Sequence, residues 1–99
     1  MDLNLESIIN TIEKVKPEVV DRFHLSHISI FGSYVRGEEK PESDIDILVS
    51  FSILPSLFEF INLQLYLSDL FGKKVDLVIL EDLKPRISQN ILREKITIL

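Results

Sequence analysis

The sequence predicts a small α+β domain, in which a mixed β-sheet carries helices packed mainly on one face. Stretches with helical spacing of apolar residues alternate along the chain with short apolar runs of strand length. Hydrophobic residues make up 45% of the 99 residues, enough for one core without room for a second module. We therefore expect residues 1–99 to form a single domain.

Composition argues against several kinds of site and location. The chain has no cysteine, which excludes disulfides, thiolate metal sites and cysteine nucleophiles. Its net charge of −5 weighs against a basic surface that binds nucleic acid directly. No apolar run reaches the roughly 18 residues of a membrane span, and the first residues lack the basic region of a signal peptide. We expect a cytoplasmic protein that does not enter a membrane.

The N-terminal part of the chain has apolar residues at helical spacing, which predict a helix from Leu3 to about His24. Asn4 can cap its N-terminus, and Glu6 suits the positive end of the helix dipole. Pro17 lies inside this stretch and has no amide hydrogen to donate. We therefore expect Pro17 to end one helix and to open a second, short one.

Two apolar strands flank a polar turn in the next part of the chain. The first strand covers residues 28–31 and ends at Gly32, and the second covers residues 44–51. Glycine and proline interrupt the turn between them. Within that turn, residues 34–36 are predicted to form a single helical turn.

A long apolar helix and a third strand follow. Residues 56–71 are apolar around much of the helical circumference, which predicts a well-buried helix, and Gly72 is suited to end it. Residues 74–80 form an apolar run that is interrupted only by Asp76. A charged residue inside an otherwise apolar strand requires an explanation.

The C-terminal part is predicted to form a helix over residues 83–95. Its residues Ile87, Ile91 and Leu92 are expected to face the core. The tail, residues 96–99, is apolar and can add a short edge strand. The predicted order is therefore helix, strand, strand, helix, strand, helix.

Asp44 and Asp46 place two like charges at the start of the second strand. Side chains two residues apart on a strand share a face, with Cα atoms about 6–7 Å apart, so both carboxylates can reach one cation. Their hard oxygen ligands suit Mg²⁺ or Mn²⁺. If the third strand lies beside the second, Asp76 supplies a third ligand for a two-metal site and can accept the proton of an attacking hydroxyl.

Simpler interpretations of these carboxylates stay open. The pair Asp44 and Asp46 can be a solvated strand start, and Asp76 can occupy an exposed strand position. The combination with a glycine–serine turn at a fixed distance favours the metal site.

Gly32 and Ser33 form a turn that can hold a phosphate group. Glycine allows the backbone to approach an anion closely, and free N–H groups at the start of a helical turn can donate to it, as can the serine hydroxyl. Ser33 lies 11 residues before Asp44, so the turn and the carboxylates can surround one triphosphate. Arg36 can bind a phosphate oxygen, or it can pair with one of the two glutamates that follow it.

Histidine and aromatic residues are interpreted as structural. His24 and His27 precede the first strand, where capping or surface positions are more typical than ligands. Tyr34 and Tyr66 are expected to pack rather than to stack on a base. Four phenylalanines are expected in the core: Phe51, Phe58, Phe60 and Phe71.

The string GSYVRGEEKPESDIDILVSF, followed by GKKVDLV, resembles a known family. Gly32-Ser33, ten residues and then Asp44-Ile45-Asp46 match the GS-x10-DxD signature of the DNA polymerase β-like nucleotidyltransferase superfamily. The whole chain is similar to the minimal nucleotidyltransferases (MNT), the MntA-type antitoxins encoded beside HEPN-domain toxins in prokaryotes. Arg36 and Asp76 also stand where that family has its motif residues.

The resemblance implies a polymerase β-like palm fold and Mg²⁺-dependent transfer of a nucleoside monophosphate, usually AMP from ATP. Asp44 and Asp46 would bind two Mg²⁺ ions, and Asp76 would bind the catalytic ion and help to deprotonate the acceptor. Gly32 and Ser33 would hold the β- and γ-phosphates. The acceptor would be a tyrosine hydroxyl on a HEPN toxin partner.

Two other functions stay open. The chain can be a non-catalytic antitoxin that masks its partner, or a transferase that acts on a small molecule or an RNA end. Larger relatives carry extra domains that bind the acceptor, and the sequence up to Leu99 contains none, so we expect a partner to supply the acceptor surface. The retention of three mutually repelling carboxylates favours the enzyme.

Overall fold

Helices and strands alternate through residues 3–99, the part of the chain that the computed structural model describes. The helices are α1 (Leu5–Phe23), α2 (Ser33–Arg36), α3 (Leu57–Phe71) and α4 (Pro85–Glu94). The strands are β1 (Leu25–Phe31), β2 (Ile45–Phe51), β3 (Val75–Ile79) and β4 (Ile96–Thr97).

The four strands form one mixed sheet in the order β3-β2-β1-β4. Strand β2 pairs with β3 in parallel, whereas β1 pairs with β2 and with β4 in antiparallel fashion. A parallel neighbour requires a crossover connection, which α3 provides between β2 and β3. The predicted α+β class and the C-terminal edge strand are confirmed, and the pairing of β2 with β3 meets the condition that the sequence analysis left open.

Helices cover both faces of the sheet unequally. On one face, α1 and α3 pack against β1, β2 and β3 through a core that includes Ile12, Ile47 and Leu63. On the other face, α4 packs through Ile91 onto Phe31 and Leu48. Two long helices therefore lie on one face and a short one on the other, as predicted, and the central strand β2 is buried on both sides.

Pro17 lies inside one continuous helix, so the predicted break at this residue is wrong. Helix α1 runs from Leu5 to Phe23 without interruption. A proline inside a helix costs about 3 kcal/mol because it removes one hydrogen bond and crowds the preceding turn. The ring is on the exposed side of α1, and the burial of Val19 and Phe23 beyond it stabilises the helix across the proline. Tertiary packing overrides the local preference.

The ends of α1 agree with the sequence interpretation. Asn4 accepts a hydrogen bond from the Ser7 amide, and the Ser7 side chain accepts one from the Asn4 amide, which forms a capping box. Glu6 lies in the first turn. His24 caps the C-terminal end in the left-handed conformation, with φ of 56°.

Helix α3 is less buried than predicted. Ser56 caps it rather than belonging to it, and Gly72 ends it as expected. Only Leu63 and Leu67 among its residues are fully buried. Because a single-layer helix on a sheet buries one face, its other apolar residues face outward, and Phe58, predicted in the core, is 79% exposed.

The C-terminal helix is shorter than the predicted range 83–95, and it buries fewer of its apolar residues than predicted. A short 3₁₀ turn, Leu80–Asp82, precedes α4. Ile91 is buried as expected, but Ile87 and Leu92 are exposed, which corrects their prediction as inward residues. The helix contacts the sheet along a narrow line, so only one of the three apolar side chains reaches the core.

The turn after β1 contains the short helix α2. Residues 34–36 lie in the short helix α2, as predicted, and Tyr34 is packed in the core.

Within residues 3–99, every helix is too short or too polar to cross a membrane.

Candidate active site

Asp46 and Asp76 are direct neighbours on two parallel strands. The register of β2 and β3 pairs their Cα positions, and paired strands lie about 4.8 Å apart. Because side chains alternate along a strand, Asp46 shares the α4-facing side of β2 with Leu48. The fold therefore brings these two sequence-predicted carboxylates to one place.

Asp44 lies just outside the strand, since β2 begins at Ile45 and not at Asp44 as predicted. Its side chain is 41% exposed, and its Oδ2 lies 3.8 Å from Lys74 Nζ. An ion pair this long between exposed groups contributes little to stability. Asp44 is therefore a carboxylate at the rim of the site that can turn towards a cation.

The surroundings of Asp46 shift the pKa of its carboxyl group. Its pKa is raised from 3.8 to about 6, chiefly by burial and in smaller part by the nearby charges of Asp76 and Asp44. Arg36 opposes this effect. A carboxylate that is half-buried beside like charges is stabilised by any cation that reaches it.

Gly32 connects the turn to this carboxylate. Its φ is +85°, in a region that side chains rarely adopt. A Cβ built at this position would also overlap Oδ2 of Asp46. Only glycine satisfies both conditions, so the residue type at position 32 follows from the approach of the Asp46 side chain.

Ser33 is the first residue of α2 and lies half-buried next to Gly32. Its carbonyl oxygen accepts a hydrogen bond from the amide of Glu38, which closes the end of the short helix. The serine side chain stands on the same turn as the backbone of Gly32. Because Gly32 lies against the Asp46 carboxylate, the turn that carries Ser33 begins beside that carboxylate.

Arg36 is held by two glutamates. Its Nε donates to Glu38 at 3.2 Å, as one of the sequence interpretations predicted. Its Nη1 donates to both carboxylate oxygens of Glu94, each at 3.1 Å. The Glu94 carboxylate also accepts the backbone N–H of Gly32 at 2.9 Å. One carboxylate from α4 thus binds both the Gly32 backbone and the Arg36 side chain.

A cleft of about 490 Å³ opens between the turn and α4. Gly32 and Asp46 line one side of it. Arg86 and Asn90 line the other side from α4, and Glu94 reaches across. Asp46, the Gly32 backbone and α4 thus border one open space, whereas Asp44 and Asp76 do not line it.

The donor set fits Mg²⁺ or Mn²⁺, which prefer carboxylate oxygens. Asp46 and Asp76 stand side by side, and Asp44 is two residues away on the same chain. In residues 3–99, no three acidic or histidine side chains already converge on a common point. A cation bound by all three carboxylates would therefore require the exposed Asp44 and Asp76 side chains to rotate.

Glu94, Arg86 and Asn90 are candidate site residues that sequence reasoning missed. They are separated from the Gly32 turn by more than 50 residues, so no local motif links them to it. One signal was present for Glu94: it lies three residues after the buried Ile91, and therefore on the inner side of α4. A charged residue in that position indicates a polar partner on the sheet side of the helix.

Most of the chain matches one known protein family. Residues 13–99 match the family described as Polymerase beta, Nucleotidyltransferase. The chain is 49% identical over 92 residues to the protein adenylyltransferase MntA of Thermococcus cleftensis, with 93% of each sequence covered.

Solved structures share the fold. A minimal nucleotidyltransferase superposes with a TM-score of 0.79 at 33% identity and covers 95% of both chains. A chain of a toxin–antitoxin complex with AMP-PNP gives a TM-score of 0.75 at 27% identity, with 92% of this chain and 72% of that chain covered. A chain from the complex of tri-AMPylated Shewanella oneidensis HEPN toxin with MNT antitoxin shares the fold at 23% identity and a TM-score of 0.69, covering 95% and 71%.

Proposed function

Because this chain belongs to the polymerase β nucleotidyltransferase family, we propose that it transfers AMP from ATP to a hydroxyl group of a partner protein. The pairing of Asp46 with Asp76, beside the backbone of Gly32, is the observation that carries this proposal. The similar protein from Thermococcus cleftensis is a protein adenylyltransferase, and the 92 matched residues span the region of the carboxylates and the turn.

The proposed reaction is a displacement at phosphorus. The acceptor oxygen attacks the α-phosphorus of ATP, the bond to the bridging oxygen of the β-phosphate breaks, and pyrophosphate leaves. The proton of the acceptor hydroxyl passes to Asp76. Asp76 is exposed at the surface of β3, so a hydroxyl group carried by another protein can reach it.

Asp44, Asp46 and Asp76 would hold Mg²⁺, with Mn²⁺ as an alternative and two ions in the full site. The bound ions supply charge neutralisation for the triphosphate and a lower pKa for the attacking hydroxyl. Asp46 lies deepest and is fixed by its contact with Gly32. Asp44 and Asp76 are more exposed and complete the ligand set from the rim.

The turn would bind the terminal phosphates. The Gly32 N–H and the Arg36 guanidinium already converge on one carboxylate, so they are oriented towards a common anion. The Ser33 hydroxyl would add a third donor from the same turn. Guanidinium groups bind phosphate and carboxylate with the same two-pronged geometry.

The partner that we propose is a HEPN-domain toxin, with a tyrosine hydroxyl as the acceptor and this chain as its antitoxin. The support is the match to a chain of the toxin–antitoxin complex with AMP-PNP. The shared fold with the MNT–HEPN complex agrees with this choice. The acidic chain, with a net charge of −5, gives no reason to propose an RNA acceptor.

A labelling experiment tests the proposal. The protein is incubated with α-labelled ATP, Mg²⁺ and the HEPN protein encoded beside it, and the mass of each protein is measured. We expect the HEPN protein to gain one or more AMP groups on tyrosine. If the two proteins form a complex but no nucleotide is transferred with any nucleotide or divalent ion, the chain acts by masking its partner instead.

A further inference from the structure

The Glu94 carboxylate is an anion that already binds the two groups proposed to hold phosphate, the Gly32 N–H and the Arg36 guanidinium. Its carboxylate accepts the Gly32 N–H at 2.9 Å and two hydrogen bonds from Arg36 Nη1 at 3.1 Å. Only 24% of the Glu94 side chain is exposed. These contacts join residues that are 62 and 58 positions apart in the chain, so they depend on the docking of α4 and not on local geometry.

We propose that Glu94 occupies the phosphate position in the nucleotide-free protein and that the terminal phosphates of the nucleotide displace it. This inference rests on the proposed function for the identity of the incoming anion. A single N–H group donates one strong hydrogen bond at a time. Two anions on the same donors would also repel each other, so the carboxylate leaves when the phosphate binds.

The position of Glu94 in α4 supports this role. It is the last residue of the helix, and Lys95 follows as the C-cap. The C-terminal end of a helix carries partial negative charge, so an acidic side chain there is unfavourable. Glu94 therefore does not serve to stabilise its own helix, and its ion pair with Arg36 offsets this cost.

The surroundings allow the exchange. The side chain borders a cleft of about 490 Å³, so a displaced carboxylate has space in which to rotate. The hydrogen bonds of the Glu94 side chain go to Gly32 and Arg36, so its rotation leaves the backbone hydrogen bonds of α4 intact. Until nucleotide arrives, the same contact keeps Arg36 and the Gly32 backbone aimed at the anion position.

Isothermal titration with inorganic tripolyphosphate in Mg²⁺ buffer tests the displacement. This probe has no base and needs no acceptor, so binding is separated from transfer. Glu94→Gln keeps the shape of the side chain and removes its charge. We expect it to bind tripolyphosphate roughly tenfold more tightly than the wild type, since the incoming phosphate no longer displaces charge-assisted hydrogen bonds.

Glu38→Gln is the matched control. Glu38 also bonds Arg36 but does not touch Gly32, and its side chain is 67% exposed. Removing it takes away the same charge from the same arginine, so we expect less than about a threefold change. Equal gains in both variants would mean that only net charge matters, which overturns the displacement, and weaker binding by Glu94→Gln also overturns it.

A second measurement uses the wild-type protein, which removes any dependence on the folding of the variant. In a crystal structure with tripolyphosphate, we expect phosphate oxygens on Arg36 and Gly32 N–H, and Glu94 beyond hydrogen-bond distance of both. A Glu94 carboxylate that stays on Arg36 beside the bound phosphate overturns the displacement. Binding by the wild type without a gain in Glu94→Gln overturns this inference alone, whereas the failure of every variant to bind phosphate also overturns the proposed function.

Discussion

Gly32 and Asp46 are in such close contact that the carboxylate of Asp46 fills the space where a side chain at position 32 would begin. Through this contact the turn after β1 and the start of β2 form one unit. The glycine–serine turn and the first buried carboxylate are therefore parts of a single geometric arrangement, although 13 residues separate them in the sequence.

Gly32→Ala is expected to reduce both stability and transfer. The φ of +85° strains an alanine, and its Cβ displaces the Asp46 carboxylate, at a cost of roughly 1–3 kcal/mol. The control is Gly37→Ala, where φ is +71° but no atom lies within 4 Å of the new Cβ. Urea unfolding and AMP transfer are measured on both variants. Equal activity of the two variants would contradict the role of the contact.

The stability of the metal-free protein is expected to depend on the charge of Asp46. Its pKa is 3.8 in the unfolded chain and about 6 in the folded protein. Between these values the folded state binds more protons than the unfolded state, so the free energy of unfolding falls as the pH rises. Asp46→Asn has no carboxyl group to ionise, so it does not lose stability in this way and should be as stable as the wild type or more so at pH 7.

Thermal unfolding in a chelator from pH 4 to pH 7 measures the effect of Asp46. The advantage of Asp46→Asn over the wild type should grow across this range. Asp69→Asn makes the same chemical change at an exposed position of α3, on the other face of the sheet, and serves as the control. A melting temperature of Asp46→Asn well below that of the wild type at pH 7 would mean that this carboxylate is structural.

In the presence of Mg²⁺ or Mn²⁺, the wild type is expected to become more stable than Asp46→Asn, which reverses their order in the metal-free state. A cation that binds only the folded state stabilises it by about 2.7 kcal/mol at a concentration 100 times its Kd. The wild type should therefore melt at a higher temperature with the metal than with a chelator. Asp44→Asn and Asp46→Asn should lose most of this shift, and Asp69→Asn should keep it. The same shift in all four proteins would place the metal elsewhere.

Much of the fold and the carboxylate site could be predicted because the decisive signals are local. A two-residue spacing places side chains on one face of a strand, and the single charge of Asp76 in an apolar run marks that residue as a candidate ligand. The parallel pairing of β2 with β3 then brings Asp46 and Asp76 together. That pairing depends on tertiary structure, and the sequence alone could only state it as a condition.

The errors arise where distant contacts decide the outcome. The helix continues through Pro17 because residues beyond it pack into the core, which a local rule does not include. Phe58 is exposed because α3 buries only one face, and apolar character alone does not identify that face. Glu94 was missed because its partners lie about 60 residues earlier in the chain.

The rate of AMP transfer to the HEPN partner in Asp46→Asn tests the central claim most directly. It is compared with the rates of the wild type and of Asp69→Asn, in complexes of equal amount and with α-labelled ATP and Mg²⁺. We predict transfer by the wild type and by Asp69→Asn, and a loss of at least about a hundredfold in Asp46→Asn although the complex still forms. Undiminished transfer by Asp46→Asn would contradict the account.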